Sequence, residues 1–334
     1  MVSPRLTTLC RGSVKCAAMR SLLLALTLSF AVRAEDVVRL GNLKFAHYGA
    51  VSHMKEVCPK HGIRLEERMF AKGLDIVPGI IAGEIDLAAS ALDGAIAGRA
   101  SGAPVFVVAG FAKGGARIIA RKDGGVTKLA DLKGKKVGTA RGGAQELLLY
   151  AELAKVGLSW SDQSGKDVRI MFLAYADLNQ ALQSGQLDAI SQSEPQSSQA
   201  IRQGYAVELV KPYDTPLGEP VRALVMTEKL YANRDVALRT MKCFVEATKE
   251  FIDNPQEAEK YVREKMFRGQ LTAEEYKDAL ENAAFTYDIS VGQVQITADL
   301  MSKYGVGKMA KTPKATEFVR LDLLLEAKRA LTVK

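Results

Sequence analysis

Between residues 37 and 227 short apolar runs alternate with amphipathic stretches, and that alternation limits the chain to an α/β architecture with mainly parallel sheets. Strands are expected at 37–43, 63–68, 87–89, 105–109, 116–120, 136–138, 168–172, 189–191, 207–209 and 222–226. Helices are expected between them, near 50–58, 74–82, 93–100, 128–132, 143–155, 176–183 and 195–203. After Thr227 no strand pattern recurs, and helices near 233–253, 255–266, 272–283, 290–303 and 315–330 make a helical C-terminal tail. Pro78 falls inside one expected helix, which therefore kinks or starts its first turn near Val77.

Two seams bracket the middle of the chain. One is glycine-rich and charged (RKDGGVTKLADLKGKK, 121–136), the other proline-rich (VKPYDTPLGEPVR, 210–222). Read as paired crossovers, they divide the chain into one lobe of residues 35–120 plus 213–334 and a second lobe of 121–212, with a cleft between. The halves rhyme: GEIDLAAS at 83–90 matches GQLDAISQ at 185–192. Each is a glycine-capped helix end followed by a strand whose C-terminal end points at the crevice where α/β ligands bind.

The N-terminus carries a basic residue, an apolar run over 22–32 and small residues before Glu35 and Asp36. This is the pattern of a secretory signal peptide, residues 1–34, cleaved after Ala34, with Met1 or Met19 as the start. The run is too short for a spanning helix, which needs about 20 residues. Removing 1–34 takes away five basic residues and no acidic one, so the formal charge falls from +8 to +3. With no basic run interleaved with aromatics, nucleic-acid binding is not expected. A mean hydropathy of -0.01 fits a soluble globular protein, and the signal peptide implies export to the periplasm. Of four cysteines, Cys58 and Cys243 survive processing, either as one disulfide or as two buried thiols.

The stretch VGTARGGAQELLLY (137–150) reads as a strand, a glycine turn and a helix. Such a turn leaves backbone N–H groups unpaired at the positive end of the helix dipole, so an anion is the expected guest. The N–H groups of Gly142, Gly143 and Ala144 and the Thr139 hydroxyl are the candidate donors, with Arg141 either clamping the anion or lying solvated.

Together with GLDIVPGIIAGEIDLAAS (73–90), PVFVVAG (104–110) and LNQALQSGQLDAISQSEP (178–195), the stretch KLADLKGKKVGTARGGAQELLLYAELAKVGL (128–158) resembles the nitrate, sulfonate and taurine group of ABC-importer solute-binding proteins. That group shares its fold with the thiamine-pyrimidine synthesis proteins of fungi. The resemblance implies a type II periplasmic-binding-protein fold, two lobes joined by two crossover strands and closing on a small organic anion for delivery to an inner-membrane permease. It implies a monomer without cofactor. It also places ligand contacts at His47 and Tyr48 after the first strand, at Ser90 and Ala91 after the third, and at Ser193 and Glu194 in the second lobe. Glu194 either selects an amine or hydroxyl or simply opens a helix. Asp93 is expected as a helix N-cap, Lys113 and Arg117 as hinge surface, and Trp160 as a packing residue.

All three histidines, His47, His53 and His61, lie close to Cys58 in one window, but helical spacing turns His53 and Cys58 apart and Pro59 interrupts the helix, so no metal is expected. The nucleotide, metalloprotease and hydrolase signatures GxGxxG after the strand, GxxxxGK[ST], HExxH, CxxC and GxSxG are absent, and no catalytic residue is expected. The alternatives are a pyrimidine-like or amine-bearing solute recognised by Glu194, Tyr48 and Trp160, or a pyrimidine-synthesis enzyme of the same fold. The cysteine run of such an enzyme is missing here.

Overall fold

The computed structural model describes residues 35–212, 214–217 and 221–333, and the expected signal peptide lies outside the described residues. Two mixed sheets with helices on their faces build two lobes. The first sheet runs β2 (Ile63–Phe70), β1 (Asp36–Leu43), β3 (Leu87–Ala91), β11 (Val221–Thr227), β4 (Val105–Lys113). β1 pairs in parallel with β2 and β3, while β11 runs antiparallel between β3 and β4. Every residue of β11 is buried, as its sequence VRALVMT requires of a central strand apart from one charge, Arg222. β2 sits at the edge and alternates exposed with covered residues, matching IRLEERMF.

The second sheet runs β10 (Ala206–Val210), β5 (Ala116–Arg121), β9 (Ala189–Ser193), β6 (Lys136–Thr139), β8 (Val168–Phe172), β7 (Trp160–Ser161). β5 is antiparallel to both β10 and β9, and β9, β6, β8 and β7 are mutually parallel. β5 thus belongs to the second sheet, although it precedes residue 121, where the glycine-rich seam begins. The chain first crosses at Gly114 and Gly115, both with left-handed φ (72° and 79°). The seam itself only leads on to a 3-10 turn, Leu129–Leu132, and β6. The return crossing falls between β10 and β11, in the proline-rich seam.

The expected strands are all present, and only the two-residue β7 is additional. Helices α1 (Gly49–Val57), α2 (Ile76–Ile81), α3 (Leu92–Ala100), α4 (Ala144–Lys155), α5 (Tyr175–Gln183) and α6 (Gln196–Arg202) fill the connections. Pro78 lies in the first turn of α2, where a missing N–H costs nothing. The tail is helical: α7 (Glu228–Ala232), α8 (Arg234–Asp253), α9 (Pro255–Lys260) continuing into a π-helical turn (Tyr261–Met266), α10 (Ala273–Glu281), α11 (Val291–Tyr304), α12 (Ala315–Phe318) and α13 (Asp322–Ala330). Among the described residues no helix is long and apolar enough to cross a membrane.

The amphipathic α8 ties the tail to the beginning of the chain. Cys243 on α8 forms a disulfide with Cys58, with Cα atoms 4.9 Å apart. His53 bonds Glu250 and His61 bonds Glu246, both at 2.7 Å. These two histidines staple α1 and the turn after it onto α8.

Candidate functional site

The C-terminal ends of β1 and β3 and the start of α3 face the β6–α4 turn of the other lobe, and a cavity lies between them. From the first lobe come His47, Tyr48, Ser90 and Ala91, and from the second Arg141, Gly142, Gly143 and Ser193. Three other expected residues, Thr139, Ala144 and Glu194, are not on its lining. Thr139 is fully buried with an unpartnered hydroxyl. Glu194 accepts hydrogen bonds from Arg117 (3.0 Å) and Ser198 (2.7 Å) inside the second lobe. Arg117 is itself buried, bridging Glu194, Glu208 and Asp278, so it is a network centre and not hinge surface. Trp160 stacks on Tyr150, with centroids 4.9 Å apart. Neither Glu194 nor Trp160 reaches the contacts a pyrimidine would need from them.

The helix start is built as the sequence implies, with one substitution of guests. Gly143 caps α4, and the first intrahelical bond runs from the Glu146 N–H to the Gly143 carbonyl (2.9 Å), leaving the Gly143, Ala144 and Gln145 amides without partners inside the helix. The Gly142 N–H, however, donates to the protein's own Glu146 carboxylate (2.5 Å), whose other oxygen accepts from Tyr150 (3.0 Å). Burial holds the Glu146 pKa above its ordinary value. Gly142 has φ 73°, and a Cβ there would lie 2.0 Å from Leu74 of the first lobe. A Cβ on Gly143 would meet the Tyr175 hydroxyl at 2.4 Å, so both glycines permit close approach. Arg141 points outward, bonding Asp162 (2.9 Å) and stacking on Phe172 (3.7 Å) at the mouth.

Two charged residues dominate the interior. Arg222, 1% exposed on β11, lies opposite Ala91 in the sheet register, and its Nε and Nη2 have no hydrogen-bond partner among the described residues. Asp93, 2% exposed, has no side-chain hydrogen-bond partner among the described residues; only the backbone amides of Asp93 and Gly94 in its own turn approach its carboxylate. It does not cap α3: Ala91 holds that position without a side-chain bond, and Asp93 sits in the first turn facing the cavity. Burial pushes its pKa up to about 7 against the pull of Arg222. Burial, then the Arg222 charge, hold His47 well below the ordinary histidine range, so its ring is neutral, with both nitrogens unpartnered. Phe45 stacks on His47 (5.8 Å) and meets Tyr175 of the second lobe edge-on (5.4 Å).

Sequence reasoning missed Arg222, Phe45, Gln145 and Tyr175 and discounted Asp93. A signal existed for Arg222, the one charge in a strand otherwise apolar. At the first position of the strand expected at 222–226 it passes for a flanking residue.

The inner cavity measures about 20 Å³, room for a water and far below the roughly 300–1,000 Å³ of ordinary small-molecule sites. Outside it, sharing Phe45, Lys72, Arg141 and Tyr175, opens a recess of about 670 Å³ walled also by Phe70 and Phe172. An organic solute does not fit this inner cavity without displacement of its walls.

A model of the NMT1-like family matches residues 37–264, about two thirds of the chain. The chain belongs to the NMT1-like family. Its fold recurs in the alkanesulfonate-binding protein SsuA from Xanthomonas axonopodis pv. citri bound to MOPS (21% identity, TM-score 0.71, 86% of this chain and 99% of that one). It recurs also in the periplasmic nitrate-binding protein NrtA from Synechocystis PCC 6803 (16% identity, TM-score 0.71, 90% of each). A curated Brucella abortus protein, which carries the name of a binding protein without a stated ligand, is 31% identical over 140 residues, 42% of this chain and 41% of that protein. The chain thus matches less than half the length of the curated relatives. The family agrees with the group its motifs resemble, and the relatives named here are binding proteins.

Proposed function

We propose that this family member is the periplasmic solute-binding component of an ABC importer, and that it captures a small organic anion, a sulfonate or carboxylate, between its lobes without altering it. The observation that carries the reading is Arg222, a buried guanidinium with unpartnered donors facing an interlobe cavity. A buried charge without a partner is costly, and an oxyanion presenting two oxygens to the guanidinium fork removes that cost. The free amides at the start of α4 add positive potential from the opposite lobe. Asp93, poised to hold a proton near neutrality, lets an anion approach without full repulsion.

A thermal-shift screen of the purified protein against aliphatic and aromatic sulfonates and carboxylates tests the reading. At 100 times its dissociation constant a solute should stabilise the fold by about 2.7 kcal/mol. Stabilisation that disappears in Arg222→Met supports it. Chemical conversion of the bound compound, or stabilisation undiminished in Arg222→Met, rejects it.

A further inference from the structure

We propose that Trp160 and Tyr304 form an aromatic clasp that holds the two lobes together around a solute, setting how tightly it is held without touching it. The inference rests on capture between the lobes, and it adds two residues that decide the balance between lobes joined and lobes apart. Trp160 lies on β7 of the second sheet, and Tyr304 ends α11 in the tail of the first lobe. Their rings meet edge to face, with 63° between planes and 5.9 Å between centroids. Neither residue lines the inner cavity or the outer recess.

The place of this contact in the fold gives it leverage. The chain enters the second sheet at β5 and leaves it from β10, neighbours at one edge, whereas β7 forms the opposite edge. Strands lie about 4.8 Å apart, so β7 stands about 19–24 Å from the two strands that carry the crossings. An opening rotation of about 10° about those crossings shifts that edge by about 3–4 Å. Aromatic pairs attract with centroids about 4.5–7 Å apart, so the shift breaks the Trp160–Tyr304 contact, where a contact beside the crossings would survive it.

Both rings are mounted on helices that reach the solute cavity. Tyr304 follows Val294, Ala298 and Met301 on the buried face of α11. Just beyond it Gly307 packs so closely that a Cβ would lie 3.1 Å from Met301 and 3.2 Å from Ala97 of α3, the helix that starts at the cavity with Asp93. On the other side Trp160 stacks on Tyr150 of α4. The Tyr150 hydroxyl donates to Glu146 (3.0 Å), the carboxylate that accepts the Gly142 N–H at the cavity. A solute that draws the β6–α4 turn toward α3 therefore also seats Trp160 on Tyr304.

The test is calorimetric titration of the full protein with four probes, ethanesulfonate, MOPS, propionate and benzoate. Tyr304→Ala should weaken every probe that binds by one common factor, roughly 2- to 13-fold, because a residue acting on closure alone penalises all solutes alike. Tyr304→Phe keeps the ring and should bind as the wild type does. Trp160 is the only tryptophan in the sequence, so its fluorescence reads the same contact: quenching by acrylamide should fall when a probe is bound. That measurement decides on the wild type if Tyr304→Ala fails to fold. Undiminished affinity in Tyr304→Ala, a loss that differs from probe to probe, or quenching indifferent to a bound probe overturns the clasp and leaves capture between the lobes standing. Failure of every probe to bind the wild type at millimolar concentration overturns the capture reading, and the clasp with it.

Discussion

Gly142→Ala separates closure of the lobes from stability of the fold, because the added methyl group does two different things. Gly142 has φ 73°, a conformation that costs an L-residue roughly 1–2 kcal/mol, and this cost is the same whether the lobes are together or apart. The new Cβ also lies 2.0 Å from Leu74 Cδ1 across the cleft, and under the proposed capture between lobes this clash arises only when the lobes come together. Ordinary carbon contacts begin near 3.5 Å, so a displacement well over 1 Å is needed, more than side-chain breathing supplies. If Leu74 yields by leaving its rotamer, the closed form loses about 0.5–1.5 kcal/mol, which weakens apparent affinity roughly 2- to 13-fold. Leu74→Ala in the same chain removes the obstacle but not the backbone strain. Titration calorimetry with a bound solute, chemical denaturation, and small-angle scattering with and without solute read the two effects independently. The expected result is affinity and compaction lost in Gly142→Ala and regained in the double variant, while the stability loss persists in both. Affinity that stays low in the double variant, or never falls in the single one, would refute the contact as a determinant of closure.

Three further outcomes are expected of this fold. The Cys58–Cys243 disulfide closes a loop of 185 residues; its reduction, or Cys58→Ser with Cys243→Ser, should cost about 2–5 kcal/mol, and equal denaturation midpoints with and without reductant would count against it. Asp93, raised from 3.8 to about 7 by burial, binds more protons folded than unfolded between those values, so native stability relative to Asp93→Asn should fall as pH rises from about 4 to about 7 and stay low above. Urea midpoints of the two proteins that differ by a constant amount across that range would contradict the assignment. Arg117→Met strands the Glu194 carboxylate inside the second lobe and should destabilise by about 3–5 kcal/mol, while a loss below about 1 kcal/mol would show the network to be slack.

The element pattern was legible because each segment repeats a period its fold position demands. β11 reads as continuous apolar chain because both its faces are covered, and β2 alternates because one face is open. The boundary between lobes was displaced because glycine and charge mark flexible chain, not sheet membership. Ala116–Arg121 is as apolar as its neighbours, and only its pairing with β9 reveals the sheet it joins. The helix-start glycines were readable from local chemistry alone. Arg222 and Asp93 were not, since their meaning depends on side-chain partners that they lack, and an unmade bond between residues 129 positions apart leaves no trace in either stretch of sequence. The Glu146 carboxylate on the Gly142 amide lay within one turn of the motif, yet it read as an ordinary first-turn acid.

β11 stands at the middle of the first sheet, although it is the last strand made. Nothing before residue 221 can complete that lobe: β3 and β4 have no direct pairing and must each wait for the same late segment. The intervening lobe, by contrast, has all its strands in hand by residue 210. As the polypeptide emerges residue by residue, the inner module is therefore free to mature while its host remains two unjoined fragments, and the covalent link to Cys243 can form only after both have met. A chain built this way keeps its host lobe unfinished until about two thirds of its length has arrived, so the inserted module is the part that can settle first.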